Sequence, residues 1–161
     1  MDFKKYVNKQ NDIIKWKAKK VDGNFKERSK YLYTEDEQSV YICVNGHYII
    51  KFLKAMYMLD NAKVFNDTQP LSIDIVTKSM ENAEPITKTT EMRKITTNGK
   101  TFDIVKFTKG NMEIWVNENY LNEFNFLDPS SVEYRGTAPN APISIWEYGE
   151  CYGVILPIRI K

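Results

Sequence analysis

Residues able to make or break bonds are sparse in this chain. Among 161 residues there is one histidine, His47, and two cysteines, Cys43 and Cys151. A lone imidazole cannot build the multi-histidine sites that hold zinc or iron, and the two thiols are far apart without Cys-x-x-Cys spacing. No phosphate-cradling P-loop, Gly-x-Gly-x-x-Gly or Gly-x-Ser-x-Gly occurs, and no Asp-x-Asp or His-Glu cluster marks a metal or acid–base pair. His47 follows Asn45-Gly46, so it is expected to steady a turn or face a partner rather than act as a general base. Cys43 and Cys151 sit in apolar, strand-like runs and are expected to be buried, reduced thiols. The chemistry predicted is binding, with no catalysis, cofactor or metal.

Two features could carry binding. The first is charge. Residues 1–30 hold ten Lys/Arg against four acids, leaving thirteen and seventeen of the chain's 23 basic and 21 acidic residues for the remainder. A basic block on a slightly acidic body suggests a local surface that faces anions. The second is the tail, Tyr152-Gly153-Val154-Ile155-Leu156-Pro157-Ile158-Arg159-Ile160-Lys161. Proline cannot donate to a ladder, so this strand must lie at an edge or leave the sheet near Pro157. Either an uncovered apolar edge there receives a partner, or alternation along Val154, Leu156 and Ile158 buries one face as ordinary core.

The elements that would position these features follow from periodicity. Residues 2–20 suit a helix with Phe3, Tyr6, Val7, Ile13 and Ile14 in one arc and Lys4, Lys5, Lys9, Lys15, Lys19 and Lys20 opposite, Trp16 among them. Asp22-Gly23-Asn24 stops it. That lysine face either solvates the helix or meets nucleic-acid phosphates. Strands are expected over Arg28–Thr34, Gln38–Val44 and His47–Phe52, the last two joined by an Asn45-Gly46 turn. Residues 53–66 are ambiguous, Leu71–Val76 reads as a strand, and the Thr-rich 78–91 reads as a surface loop. Asn98-Gly99 marks a hairpin between Met92–Ile95 and Thr101–Phe107. Met112–Val116, a short helix over Asn117–Phe124, Ser131–Gly136, Ile143–Trp146 and the tail complete the chain. The short helix carries Glu118 and Glu123 and no lysine.

Several pieces carry a resemblance. The tail is similar to the close of bacterial DNA polymerase sliding clamps, which end apolar-apolar-Leu/Met-Pro-apolar-Arg. Strand, short helix with Tyr120-Leu121, then three strands resembles the closing half of a clamp domain over roughly the last 60 residues. Val44-Asn45-Gly46-His47-Tyr48-Ile49-Ile50 looks like the clamps' Thr-Asp-Gly-His-Arg-Leu hairpin, with Asn45 for the acid, Tyr48 for the arginine and Ile49 for the leucine.

The resemblance implies an α+β, DNA-clamp-like single domain, residues 1–161. It would be a pseudo-duplicated β-α-β-β-β unit (1–70 and 71–161) with two helices packed on antiparallel sheets. It further implies a processivity factor that tethers duplex DNA without base reading through Lys4, Lys5, Lys9, Lys15, Lys19 and Lys20. A replication-protein or polymerase peptide would dock on Gly46, His47 and Ile49 of the hairpin and Val154, Ile155, Leu156, Pro157 and Ile158 of the tail. Clamps build that cleft from neighbouring domains, so a one-domain chain would self-assemble head to tail, six copies closing a ring. The alternatives are a monomeric clamp-like adaptor or decoy that does not encircle DNA, and an unrelated α+β ligand-binding module with a closed cavity lined by Trp115, Trp146 or tyrosines. With no apolar run near the ~18 residues needed to span a bilayer and no export signal, a cytoplasmic protein without membrane contact is expected. A phage or mobile-element origin suits the small size.

Overall fold

The computed structural model describes residues 1–21, 31–54, 74, 78 and 80–160, with side chains for 1–13 in the first stretch and 34–54 in the second. Helix α1 spans Phe3–Val21. Asp2 starts it: the carboxylate accepts the Lys5 N–H at 3.1 Å and the carbonyl accepts the Tyr6 N–H at 3.0 Å. These acceptors serve first-turn donors that a helix otherwise leaves orphaned. The buried stripe is Tyr6, Gln10 and Ile13, which places its centre roughly 50° around the helix from Phe3. Phe3, expected in the apolar arc, is accordingly 61% exposed.

The remaining elements are β1 Tyr31–Glu35, β2 Ser39–Val44, β3 Tyr48–Leu53, β4 Glu84–Thr97, β5 Lys100–Lys109, β6 Met112–Asn117, α2 Glu118–Asn122, β7 Val132–Gly136, β8 Ile143–Glu147 and β9 Glu150–Ile155. The fold is α+β, and the nine strands among the described residues form one antiparallel sheet in the order β1-β2-β3-β9-β8-β7-β4-β5-β6. A single sheet replaces the separate sheets expected, because β3 pairs directly with β9 through Tyr48↔Ile155, Ile49↔Val154 and Ile50↔Gly153. The order β1-β2-β3-β9-β8-β7 is symmetric about that junction. α1 precedes the first triplet and α2 the second.

Residues 84–91 correct the expected loop. They belong to β4, whose first residues pair with β7 (Ile86↔Tyr134) and whose remainder pairs with β5. β-Branched Thr87, Thr89 and Thr90 favour a pleated strand, and Pro85 is tolerated because pairing with β5 begins only at Thr87. A bulge lies between Lys88 and Met92. There Thr89 Oγ1 donates to the Lys106 carbonyl at 3.0 Å and accepts the Glu91 N–H at 3.1 Å, so a side chain stands in for the ladder. Of the strand expected at Leu71–Val76, only Asp74 is described, and its backbone is helical. Residues 55–66 and the helix stop at 22–24 lie outside the described residues.

The Asn98-Gly99 turn is as expected, with φ of 51° and 74°. β8 and β9 join through an equivalent turn at Tyr148 (φ 50°) and Gly149 (φ 80°). An aromatic residue occupies the place that Asn or Gly usually takes there, which hid the hairpin from sequence reading.

The main core lies between the sheet and helices α1 and α2. Tyr6 packs on Phe52, Phe126 and Tyr152 with ring centroids 5.4, 4.9 and 6.1 Å apart. Its hydroxyl donates to the Lys51 carbonyl at 3.1 Å and accepts the Leu53 N–H at 2.9 Å. Pairing of β3 with β9 ends at Ile50, and β9 bulges at Tyr152, so the phenol serves backbone groups for which the sheet provides no strand. Burial pushes the Tyr6 phenol well above its ordinary range. On the second helix's side, Phe124 rests on Gly153, where an added Cβ would lie 2.3 Å from the Phe124 ring and 2.4 Å from the Ile49 carbonyl oxygen. The opposite sheet face buries Cys43, Ile49 and Val154 under Tyr41 and Met80.

Glu147, at the end of β8, is buried. Its Oε1 accepts from the Asp128 N–H (2.8 Å), the Met1 ammonium (2.9 Å) and the Ser131 hydroxyl (3.1 Å). Burial alone would raise this carboxyl, but the three donors outweigh it and hold it below its ordinary value of 4.5.

Two outcomes are expected. Tyr6→Phe removes both hydroxyl contacts and leaves a part-buried N–H and C=O without these partners. It should cost about 2–4 kcal/mol in urea unfolding, against little change for an exposed Tyr148→Phe. A carboxyl held low in the folded state contributes stability above its ordinary value and loses it as pH falls through the lower folded value. Unfolding free energy should therefore drop below about pH 4.5, and Glu147→Gln should flatten that slope.

Candidate functional site

The β2–β3 connection is a three-residue loop, since Val44 pairs with Tyr48. Asn45 (φ 52°) and Gly46 (φ 69°) make the left-handed turn, and the His47 N–H closes it on the Val44 carbonyl at 3.0 Å. His47 is thus an extra residue, one position before the strand expected to include it. Its exposed ring stacks on Tyr120 of α2, centroids 5.1 Å apart and planes 15° apart. Tyr48 tilts onto the same Tyr120 ring at 5.6 Å. α2 is capped by Asn117, whose side chain accepts the Asn119 N–H at 2.9 Å, and this cap sets where Tyr120 projects. Burial raises the Tyr120 phenol above its ordinary value.

The tail leaves the sheet after Ile155, two residues before Pro157. Rather than running free, it touches two distant parts of the sheet. The Leu156 N–H donates to the His47 carbonyl at 2.9 Å, and the Ile158 N–H donates to the Trp115 carbonyl on β6 at 2.7 Å. β6 is the last strand of the sheet order, so the tail partly covers an edge. Leu156 and Ile160 remain 43% and 42% exposed, and Pro157 and Ile158 are half-buried.

The structure therefore brings His47, Leu156, Pro157 and Ile158 together on one rim, with Gly46 exposed beside them. Ile49, Val154 and Ile155 are buried and support this rim from within. Hairpin and tail meet inside one copy of the chain. Two contributors escaped sequence reading. Tyr120 stood out only as half of the short helix's Tyr120-Leu121 pair, with no site role, and Trp115 participates through its carbonyl, which no side-chain pattern reports.

Lys4 and Lys5 on α1 are exposed; Lys5 lies 3.8 Å from Asp2. Lys9 is half-buried, its ammonium 2.6 Å from Glu123 just after α2, and the Tyr48 hydroxyl donates to the same carboxylate oxygen at 3.1 Å. This bridge links α1 to the residue that closes α2. Lys15, Lys19 and Lys20 lie on the α1 backbone, and their side chains, with that of Trp16, fall outside the described residues. Trp115 is stacked under Arg93, whose guanidinium carbon is 4.4 Å from the ring centre, and Trp146 under Arg135 at 4.2 Å.

Cys43 and Cys151 are free, buried thiols; burial raises both, Cys151 to about 11. Among the described residues no cluster of three or more His, Cys, Asp or Glu could hold a metal, and no helix is long and apolar enough to cross a membrane. No family model, curated protein or solved structure matches the chain.

Replacing Tyr120 by Ala removes the platform under both His47 and Tyr48. Each aromatic pair contributes about 0.5–1.5 kcal/mol beyond burial, so a loss of about 1–3 kcal/mol is expected. Amide exchange at His47 and Leu156 should accelerate more than exchange in β7 and β8, which native-state hydrogen exchange would report.

Proposed function

We propose that this chain is a clamp-like, non-catalytic domain of DNA replication that docks a peptide of a polymerase or another replication protein on the hairpin–tail rim. Its α1 layer faces duplex phosphates. The observation that carries this reading is the symmetric order β1-β2-β3-β9-β8-β7, each triplet preceded by a helix. Both helices pack on the same core and are bridged by Lys9 and Glu123. A helix layer on one face of a sheet leaves one wall for a polyanion and keeps the opposite wall separate. Lysines along α1 would meet phosphates as point charges, giving salt-sensitive contact without base reading, as sliding requires. The rim offers Leu156, Pro157 and Ile158 beside a His47–Tyr120 stack, an apolar anchor point of the kind that accepts one or two side chains of a peptide. In this reading, copies of the chain close a ring around DNA.

A second reading is favoured by two particular contacts. Hairpin and tail already meet within one molecule, through the Leu156 N–H and the His47 carbonyl, so the rim needs no second copy. Lys9 spends its charge on Glu123, and α2 has only five residues and adds no lysine. Both features suit a monomeric adaptor or decoy that binds a replication protein without encircling DNA.

Light scattering across a concentration series, paired with retention on nicked circular DNA, separates the two. The ring predicts a multimer, retention at low salt, and loss of retention when Lys4, Lys5, Lys15 and Lys19 become Glu, with Lys9 spared. A monomer of about 19 kDa that ignores this charge reversal sinks the ring. Under both readings Leu156→Asp should abolish capture of a replication-protein peptide; unchanged capture removes the rim from the account.

A further inference from the structure

We propose that a second, separate site takes a short extended peptide that combines apolar and acidic side chains. The site is the trough opened where β4 parts from β7. The two strands pair from Glu84↔Gly136 to Ile86↔Tyr134 and no further, since β4 then runs with β5 toward the Thr89 bulge. The next residues on each lip, Thr87 and Lys88 on β4 and Val132 and Glu133 on β7, face each other across a cavity of about 870 Å³. Its floor reaches Leu121, Phe124, Leu127 and Ile145 of the main core. A volume of that size holds several side chains.

The lips are two antiparallel strand segments, so the trough runs along them and an extended segment fits its axis. Part of the β7 edge is already used, because the Val132 N–H donates to the Asp128 carbonyl at 3.0 Å. Recognition must therefore come mainly from side chains. Charge selects their sign. Lys88 and Lys5 border the trough and are exposed, Lys5 lying 3.8 Å from Asp2, while among the described residues the one acid on the lining, Glu133, is paired with Arg135 at 3.1 Å. An apolar floor bordered by two lysines and an acid already paired with an arginine favours apolar anchors flanked by carboxylates. None of the residues lining the trough belongs to the hairpin turn or the departing tail, so this proposal stands whether or not the clamp-like reading holds.

The test uses fluorescein-labelled peptides and the full chain, read by anisotropy at low and physiological salt. The acidic probe alternates Glu and Leu over eight residues; the controls alternate Lys and Leu, and Glu and Ser. Saturable binding of the Glu-Leu peptide alone is expected. Lys88→Glu should weaken it roughly five- to tenfold, and Lys5→Glu similarly, as reversal of a rim charge does. Leu156→Asp should leave it unchanged. Equal binding of the Lys-Leu or Glu-Ser peptide, or indifference to Lys88→Glu in a folded variant, overturns the proposal. So does binding of dodecanoate without the peptide, which would assign the trough to a small amphiphile.

Discussion

The Tyr6 phenol oxygen joins the helix layer to the sheet at the point where the sheet is incomplete. Beyond Ile50, β3 loses β9 as a neighbour, because β9 bulges at Tyr152. Two part-buried backbone groups of β3 then find no partner on β9, and the hydroxyl of Tyr6 satisfies both. The same ring fills the space between Phe52, Phe126 and Tyr152. Each such side chain contributes about 1.5–3 kcal/mol by burial, but only a tyrosine here also closes the hydrogen-bond accounts of β3. Helix position, sheet bulge and aromatic cluster are one arrangement, and the Lys9–Glu123 bridge and Gly153 contact extend it to α2.

Local chemistry made much of the fold legible. Asn45-Gly46 and Asn98-Gly99 announced their turns because positive φ is cheap for those residues. The strand read at Gln38–Val44 rested on its richness in Tyr, Val and Ile, and the sheet retains it as β2. Where prediction failed, the deciding partner was remote in sequence or of an unexpected type. The Tyr148-Gly149 turn uses an aromatic in a strained position. Residues 84–91 look like a loop until β5 and β7 lie alongside. Phe3 shares its arc with Tyr6 on paper, yet the sheet selects the flank centred on Tyr6, which takes in Gln10. That glutamine is itself buried with its Oε1 unpartnered, which no apolar-periodicity argument would place in a core.

The candidate rim was half legible. His47, Leu156, Pro157 and Ile158 stood out by type and position, and they do come together. Ile49, Val154 and Ile155 share their sequence neighbourhood but point into packed layers, because side chains alternate across a strand. Tyr120 joins the rim from 73 positions beyond His47, a distance that only the fold spans. The lysines illustrate a different limit: charge density along α1 is readable, whereas the partner that takes up Lys9 belongs to another element.

Two of the departing tail's amide donors are already spoken for. Leu156 and Ile158 each give their N–H to a carbonyl of this same molecule, one in the β2–β3 loop and one on the last strand of the sheet order. The segment therefore acts as a stitch drawing β6 toward the β2–β3 loop. A visitor arriving at this place cannot extend the sheet through those amides without first undoing the stitch. It must be held by shape and greasy contact, a mode in which selectivity resides in how long the visitor stays rather than how fast it arrives.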